Sequence, residues 1–175
     1  MNPATTARHA ADVRSRKVKS ASSKASTAAA HPVMSVSAEA LLGGKSILHK
    51  KLVTPMDWVS AIRAGISSAA VDSLATHIRV TQFEFSAALG IPERTLVRRK
   101  KEGVLSSEES AKLVRVARVV ERAEAVFGDF EVALDWLKSA NAALAGVTPL
   151  SLLDTEIGAE SVTDTLGRIE HGVFA

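Results

Sequence analysis

Residues 81–101 carry the local pattern that most constrains how this chain can fold. Thr81 precedes an apolar stripe, and Glu84 lies three positions after Thr81. This is the spacing of a capping box, which begins a helix. Gly90 can adopt the left-handed conformation that ends a helix, and Pro92 suits the start of the next one. The segment therefore predicts two short helices joined by a three-residue turn.

Two short helices joined through a glycine-containing turn are typical of a helix-turn-helix, whose second helix enters the major groove of DNA. The second helix is basic here, and Arg94, Arg98 and Lys101 share one face by their i, i+4, i+7 spacing. A solvated basic face is the alternative, and the preceding turn favours DNA. The predicted DNA contacts are Gln82, Arg94, Thr95, Arg98, Arg99 and Lys101.

Arg99 departs from the usual helix-turn-helix pattern, which commonly has an aliphatic residue at that position. Either its stem packs while its guanidinium reaches a phosphate, or the helix is slightly rotated.

Helix signals continue along the chain, no convincing strand pair is present, and the fold class is predicted to be all-α. Ser106 caps the longest helix, which Gly128 ends. The other predicted helices start near Ser37 (ending at Gly43–Gly44), at Thr54–Pro55, at Ser67, at Asp129 (ending near Asn141), after Thr148–Pro149, and at about Ala159 (ending at His171).

Three regions are predicted. Residues 1–35 are rich in Ala, Ser, Thr, Lys and Arg, and we expect a disordered basic arm that either follows DNA phosphates or only solubilises the chain. Residues 36–105 form the helix-turn-helix domain. Residues 106–175 form a second helical module, whose first helix connects the two.

Charge is distributed unevenly. From residue 126 onward eight carboxylates stand against two cations, Lys138 and Arg168, although the whole chain has a net charge of +3. An acidic module next to a basic one predicts two different partners, because the electrostatic field of each module influences which molecules it encounters.

Several function classes are disfavoured. No apolar run approaches the roughly 20 residues of a membrane span, so we expect a cytoplasmic protein without a membrane partner. There is no cysteine, and the five histidines form no i, i+4 pair. No catalytic constellation is visible, and we predict no catalytic residue, no metal and no cofactor.

The C-terminal residues resemble a known family. Trp136-Leu137, Gly146-x-Thr148-Pro149-Leu150, Leu153 and Leu166-x-Arg168-Ile169-x-His171-Gly172 are similar to the toxin-binding domain of Xre/MbcA/ParS-type antitoxins. The resemblance covers roughly residues 80–175. It implies an antitoxin that inhibits a cognate RES-domain toxin and that binds operator DNA to regulate its own operon. A toxin of this class is an enzyme that consumes NAD.

The same resemblance implies that the last helix and the tail lie at the entrance of the toxin's active site. The toxin-binding residues that it implies are Leu166, Arg168, Ile169, Glu170, His171, Gly172, Val173 and Phe174. Simple packing of a last helix is the alternative for Ile169 and Val173.

A second hypothesis remains open, a stand-alone helix-turn-helix regulator whose C-terminal domain serves dimerisation. The acidic excess of the C-terminal module favours the antitoxin over the stand-alone regulator, because dimerisation does not require such an excess of negative charge. Both hypotheses predict a homodimer, since two linked DNA-reading modules gain affinity from their effective concentration.

Overall fold

The computed structural model describes residues 36–173, and the predicted basic arm 1–35 lies outside the described residues. The regular elements of the described part are helical, which confirms the all-α fold class, and pairing of strand type is limited there to two isolated bridges. The α-helices are α1 (Ala38–Leu41), α2 (Gly44–Leu48), α3 (Pro55–Ala64), α4 (Ala69–Ile78), α5 (Gln82–Leu89), α6 (Glu93–Glu102), α7 (Ser107–Phe127), α8 (Phe130–Lys138) and α9 (Glu156–Glu170). Short 3₁₀ helices span Ala142–Leu144 and Pro149–Leu152.

Capping boxes begin three of these helices. At the start of α5 the Thr81 side chain accepts a hydrogen bond from the Glu84 amide, and the Glu84 carboxylate accepts one from the Thr81 amide. The same reciprocal pattern is present at Thr54 for α3 and at Ser106 for α7. Each box satisfies amides that a helix start leaves without a partner, and these starts agree with the sequence prediction.

The helix ends differ from the prediction in several places. A helix, α2, begins at Gly44, where the sequence predicted only a stop. The helix α8 ends at Lys138 rather than near Asn141, and the segment after Thr148 is 3₁₀ rather than α-helical.

The last helix begins earlier than predicted. Thr155 caps it by accepting a hydrogen bond from the Gly158 amide, so that α9 starts at Glu156 instead of Ala159. A Cβ atom at Gly158 would lie 2.0 Å from the Leu152 carbonyl oxygen. The close approach of this first turn to the preceding 3₁₀ helix therefore requires glycine.

The helix α7 runs through the middle of the described fold. Its side chains Leu113, Val116 and Val120 are fully buried. It packs against α1, α3 and α5 on the N-terminal side and against α8 and α9 on the C-terminal side. The buried apolar residues form one cluster that extends from Ala38 to Leu166. The helix predicted as a connector thus packs with the helices on both sides of it in one continuous core, and it fixes the two ends of the fold relative to each other.

Candidate functional site

The helix α6 presents a basic face to solvent. Leu96 is buried on its inner side, with 1% of its surface exposed. Arg94, Arg98 and Lys101 are exposed on the other side, as their spacing predicted. Arg98 has an i, i+4 contact with Glu102, with Nε and Oε1 3.5 Å apart. Such an exposed pair is weak, so the guanidinium can exchange its carboxylate partner for a phosphate or a base edge.

The turn before α6 has the predicted geometry. Gly90 adopts a left-handed conformation with φ of 58°, and the Ile91 amide donates to the Ser86 carbonyl, which closes the end of α5. Gln82 is exposed at the first position of α5, and Thr95 is half-buried in the first turn of α6. Gln82 and the basic face of α6 are therefore both open to a ligand.

Arg99 does not reach outward, contrary to the expectation that its guanidinium contacts phosphate. Only 22% of its side chain is exposed, and its Nη1 lies 2.6 Å from Glu102 Oε2. Its Nε lies 2.7 Å from Glu109 Oε2 on α7, but the N–H direction does not give a hydrogen bond, so this contact is Coulombic. Hydrogen bonding to Glu102 and ion pairing with Glu109 raise the pKa of Arg99. Arg99 therefore joins α6 to α7 in place of the usual aliphatic residue.

Lys100 is also engaged within the fold. Its Nζ lies 2.6 Å from Asp72 Oδ1 on α4. The cations of α6 thus divide into an outward set, Arg94, Arg98 and Lys101, and an inward pair, Arg99 and Lys100, that holds the helix against α4 and α7.

An apolar residue on the same exposed face was missed at the level of sequence. Val97 is 46% exposed and lies between Arg94 and Arg98 along the helix. The sequence did contain the signal, because a residue three positions after Arg94 lies on the same side of a helix.

The C-terminal candidate residues fall into three groups. Leu166 is fully buried and belongs to the core, so it supports α9 from within, and it cannot touch a partner in this conformation. Ile169 is half-buried. Exposed residues are Arg168, Glu170, His171, Gly172 and Val173, whereas Phe174 lies outside the described residues.

Two of the exposed side chains make contacts within the chain. Arg168 Nη2 donates to Thr165 Oγ1 at 3.0 Å. Glu170 pairs with Arg122 on α7, and this hydrogen-bonded ion pair lowers the pKa of Glu170. The chain then leaves the helix at Gly172, where φ is 65°, a conformation that glycine adopts without strain. Val173 follows with 57% of its surface exposed.

The acidic excess of the C-terminal region is reduced by cations from earlier in the chain. Three of its eight carboxylates form ion pairs of this kind, Glu131 with Arg79, Glu156 with Arg115 and Glu170 with Arg122. The partners are 41 to 52 residues apart in sequence, so no local pattern could have predicted them. Glu160 and Asp164 remain exposed along α9 without a salt bridge among residues 36–173.

An open groove lies beside the end of α9. Its walls are the 3₁₀ helix Ala142–Leu144 and the α9 residues Asp164, Gly167 and Arg168, and it continues to His171 and Val173. Glycine at 167 is not required by the fold, because a Cβ atom there would meet no atom within 4 Å.

The described part of the chain has neither a metal site nor a membrane-spanning helix. Within 36–173 no group of three or more His, Asp or Glu side chains is placed to hold a metal ion. No helix in that range combines the length and the apolar character needed to cross a bilayer.

Comparison with known proteins decides the family. Residues 57–118 match the antitoxin Xre-like helix-turn-helix domain, and residues 122–172 match the antitoxin Xre/MbcA/ParS C-terminal toxin-binding domain. A protein named Antitoxin Xre from Yersinia enterocolitica is 39% identical over 119 residues, which cover 67% of this chain and 80% of that protein. The chain belongs to the Xre-like antitoxin family. It is an antitoxin of a toxin–antitoxin system with a helix-turn-helix domain, as the resemblance in the sequence indicated.

Two further relatives of this antitoxin extend the comparison. An Antitoxin Xre from Photorhabdus laumondii is 34% identical over 116 residues, covering 65% of this chain and 78% of that protein. A protein named Prs ADP-ribosylating antitoxin from a Sphingobium species is 27% identical over 132 residues, covering 70% of this chain and 83% of that protein. The matched domains contain both candidate surfaces, α6 in the first and the end of α9 in the second.

Proposed function

We propose that this antitoxin inhibits a RES-domain toxin that degrades NAD, and that it does so by placing the end of α9 and the tail at the entrance of the toxin's active site. The observation that carries the proposal is the exit from α9, with Gly172 in a left-handed conformation and Val173 exposed beyond it. A segment that leaves a fixed helix can extend into a pocket that a folded surface cannot enter.

Rigid attachment of α9 supports the same proposal. Ion pairs from Arg115 and Arg122 hold its two ends against α7, and Leu166 anchors it in the core. A binding element that is already ordered loses less conformational entropy when it binds, and more of the contact energy is then available for affinity.

Electrostatics supports a partner with a cationic site. Asp164 lines the groove, and Glu160 is exposed one turn earlier on α9. A pocket that binds the pyrophosphate of NAD is expected to be cationic, and these carboxylates would be attracted to it. The name of one relative includes ADP-ribosylation, a reaction in which NAD is the ADP-ribose donor. In this proposal the chain has no catalytic residue of its own and acts as an inhibitor.

The experiment for toxin inhibition first identifies the protein that co-purifies with the antitoxin from its native host. NAD loss by that purified protein is then measured with increasing antitoxin. We expect wild-type antitoxin to stop NAD loss and Arg168→Glu to inhibit more weakly, because Arg168 is exposed beside the groove. Arg63→Glu, an exposed arginine on α3, is the control and should inhibit like the wild type. A co-purifying protein that does not consume NAD would exclude this toxin class.

We also propose that α6 reads operator DNA and that the antitoxin thereby regulates its own operon as a homodimer. Exposed Arg94 and Arg98 are spaced to contact base edges, and Lys101 at the far end of the same face is placed to contact phosphate. Two copies on one operator would place two such helices in successive major grooves, which raises affinity through effective concentration. Residues 36–105 supply the DNA-reading part in this proposal, and 106–175 the toxin-binding part.

A shift assay with the promoter region of the antitoxin's own gene tests the DNA proposal. Replacing Arg94 or Arg98 with Ala should weaken specific binding by about 1–3 kcal/mol if each makes a bidentate base contact. Arg63→Ala is again the matched control. Unchanged operator affinity in the Arg94→Ala, Arg98→Ala double variant would show that α6 is not the reading helix.

A further inference from the structure

The helix α6 contains two apolar side chains, and the core accounts for only one of them. Leu96 is buried, whereas Val97 is 46% exposed. A β-branched residue also has lower helix propensity than alanine, because its side chain loses rotamer freedom against the preceding turn. Neither packing nor helix formation therefore explains valine at this position.

Val97 lies within the basic face. It stands three residues after Arg94, one before Arg98 and four before Lys101, and these four positions fall within about 100° of the helix circumference. Leu96 and Arg99 lie on the inner side, where they contact the core and α7. The basic face thus has one apolar side chain at its edge, between Lys101 on one side and the exposed Glu93 on the other.

A major-groove surface offers a matching chemical group. Among the base edges exposed there, the C5 methyl group of thymine is the apolar one, and aliphatic side chains contact it. We propose that Val97 is a specificity-determining residue that contacts the C5 methyl of a thymine next to a base read by Arg94 or Arg98. This inference rests on the proposed DNA binding by α6, and it names the base that one further residue of that face recognises.

The contact is tested with full-length antitoxin and a DNA duplex selected by the wild-type protein from a pool of random sequence. Each thymine of the bound site is replaced in turn by deoxyuridine, which removes only the C5 methyl group. At one position in each half-site the replacement should weaken wild-type binding about fourfold, the change expected from one methyl group no longer buried.

The variant Val97→Ala isolates the residue. It should bind the thymine duplex at least about fourfold more weakly than the wild type and lose nothing further when that thymine becomes deoxyuridine. Alanine at an exposed helical position preserves the fold, so a lower affinity will not reflect unfolding. Val132→Ala on α8 is the matched control, because Val132 is also an exposed valine on a helix, at 50%. It should retain wild-type affinity and wild-type sensitivity to deoxyuridine.

Two outcomes separate this inference from the function on which it rests. If the wild type selects a site but Val97→Ala is as sensitive as the wild type to every deoxyuridine replacement, the thymine contact is wrong and DNA binding stands. If the wild-type protein selects no DNA site, the proposed DNA binding fails, and the thymine contact fails with it.

Discussion

Arg122 of α7 and Glu170 in the last turn of α9 form a two-point ion pair, with Nη1 3.2 Å from Oε1 and Nη2 2.5 Å from Oε2. Glu170 lies two residues before Gly172, where the chain leaves the helix. The pair therefore fixes the point from which the tail begins. It also assigns Glu170 a role within the fold, where the family resemblance had implied a contact with the toxin.

Breaking this pair should loosen the last turn of α9. In Arg122→Glu, like charges face each other, and we expect faster amide hydrogen exchange at residues 168–171 together with weaker toxin inhibition. The charge-swapped variant Arg122→Glu, Glu170→Arg should recover both properties. Arg118→Glu is the control on the same helix, because Arg118 is exposed and has no salt bridge within the described residues. Equal exchange in the wild type and Arg122→Glu would show that the pair does not order the last turn of α9.

Arg98 and Arg99 are adjacent in sequence but should respond differently to substitution by Ala. Arg98→Ala removes an outward cation that is proposed to contact a base edge, and it should weaken specific operator binding by about 1–3 kcal/mol. Arg99→Ala should leave the log–log salt slope of operator binding unchanged and lower the melting temperature, because Arg99 is paired with Glu102 and Glu109. A reduced salt slope for Arg99→Ala would place its guanidinium on DNA after all.

These two arginines illustrate how far the sequence predicts the site. Spacing alone predicted the exposed face of Arg94, Arg98 and Lys101, since helical periodicity is a local property. Of the two partners of Arg99, Glu102 lies on the same helix, whereas Glu109 lies in the first turn of the next helix, α7. Its position depends on how α6 packs against α7, and no periodicity contains that information.

The same division applies to the fold. Helix starts at Thr54, Thr81 and Ser106 were predictable because a capping box is written in four consecutive residues. The role of α7 was not predictable, because an apolar helix between two modules can either connect them or form a shared core. Its side chains Leu113, Val116 and Val120 are buried among both sets of helices, which shows that α7 belongs to a shared core.

Acid should weaken the contact between α6 and α7. Burial raises the pKa of Glu109, but hydrogen bonding to Ser106 and pairing with Arg99 outweigh it, so the pKa lies below its ordinary value of 4.5. A lowered folded-state pKa adds stability above the unfolded-state pKa, and that stability is lost as the pH falls through the folded-state pKa. We therefore expect the melting temperature of the wild type to fall as the pH decreases below about 5. Glu109→Gln, which keeps an acceptor for the Ser106 amide, should show a smaller decrease over this range. Identical pH profiles would exclude Glu109 as a contributor.

Gly167 should affect stability and toxin binding in opposite directions. It lies inside α9 with open space around its missing Cβ, so Gly167→Ala should raise the free energy of unfolding by about 0.5–1 kcal/mol. If the toxin approaches the helix backbone along the adjacent groove, the added methyl group should weaken the complex. Ser60→Ala on the exposed side of α3 is the control, since it also raises helix propensity but lies on a helix that does not line the groove. Unchanged toxin affinity in a stabilised Gly167→Ala variant would mean that the toxin does not contact this part of α9.

Removing residues 172–175 should separate inhibition from complex formation. The truncation removes the Gly172 and Val173 amides, which donate to the Ile169 and Arg168 carbonyls at the end of α9. The helix itself ends at Glu170 and remains held by Arg122 and by buried Leu166. A binder that occludes a pocket needs an element small enough to enter it, whereas the wider surface supplies much of the affinity. We therefore expect truncated antitoxin to co-purify with the toxin while much of the NAD consumption returns. Full inhibition by the truncated form would exclude plugging by the tail, and blockade would then have to come from the face of α9 that includes Asp164 and Arg168.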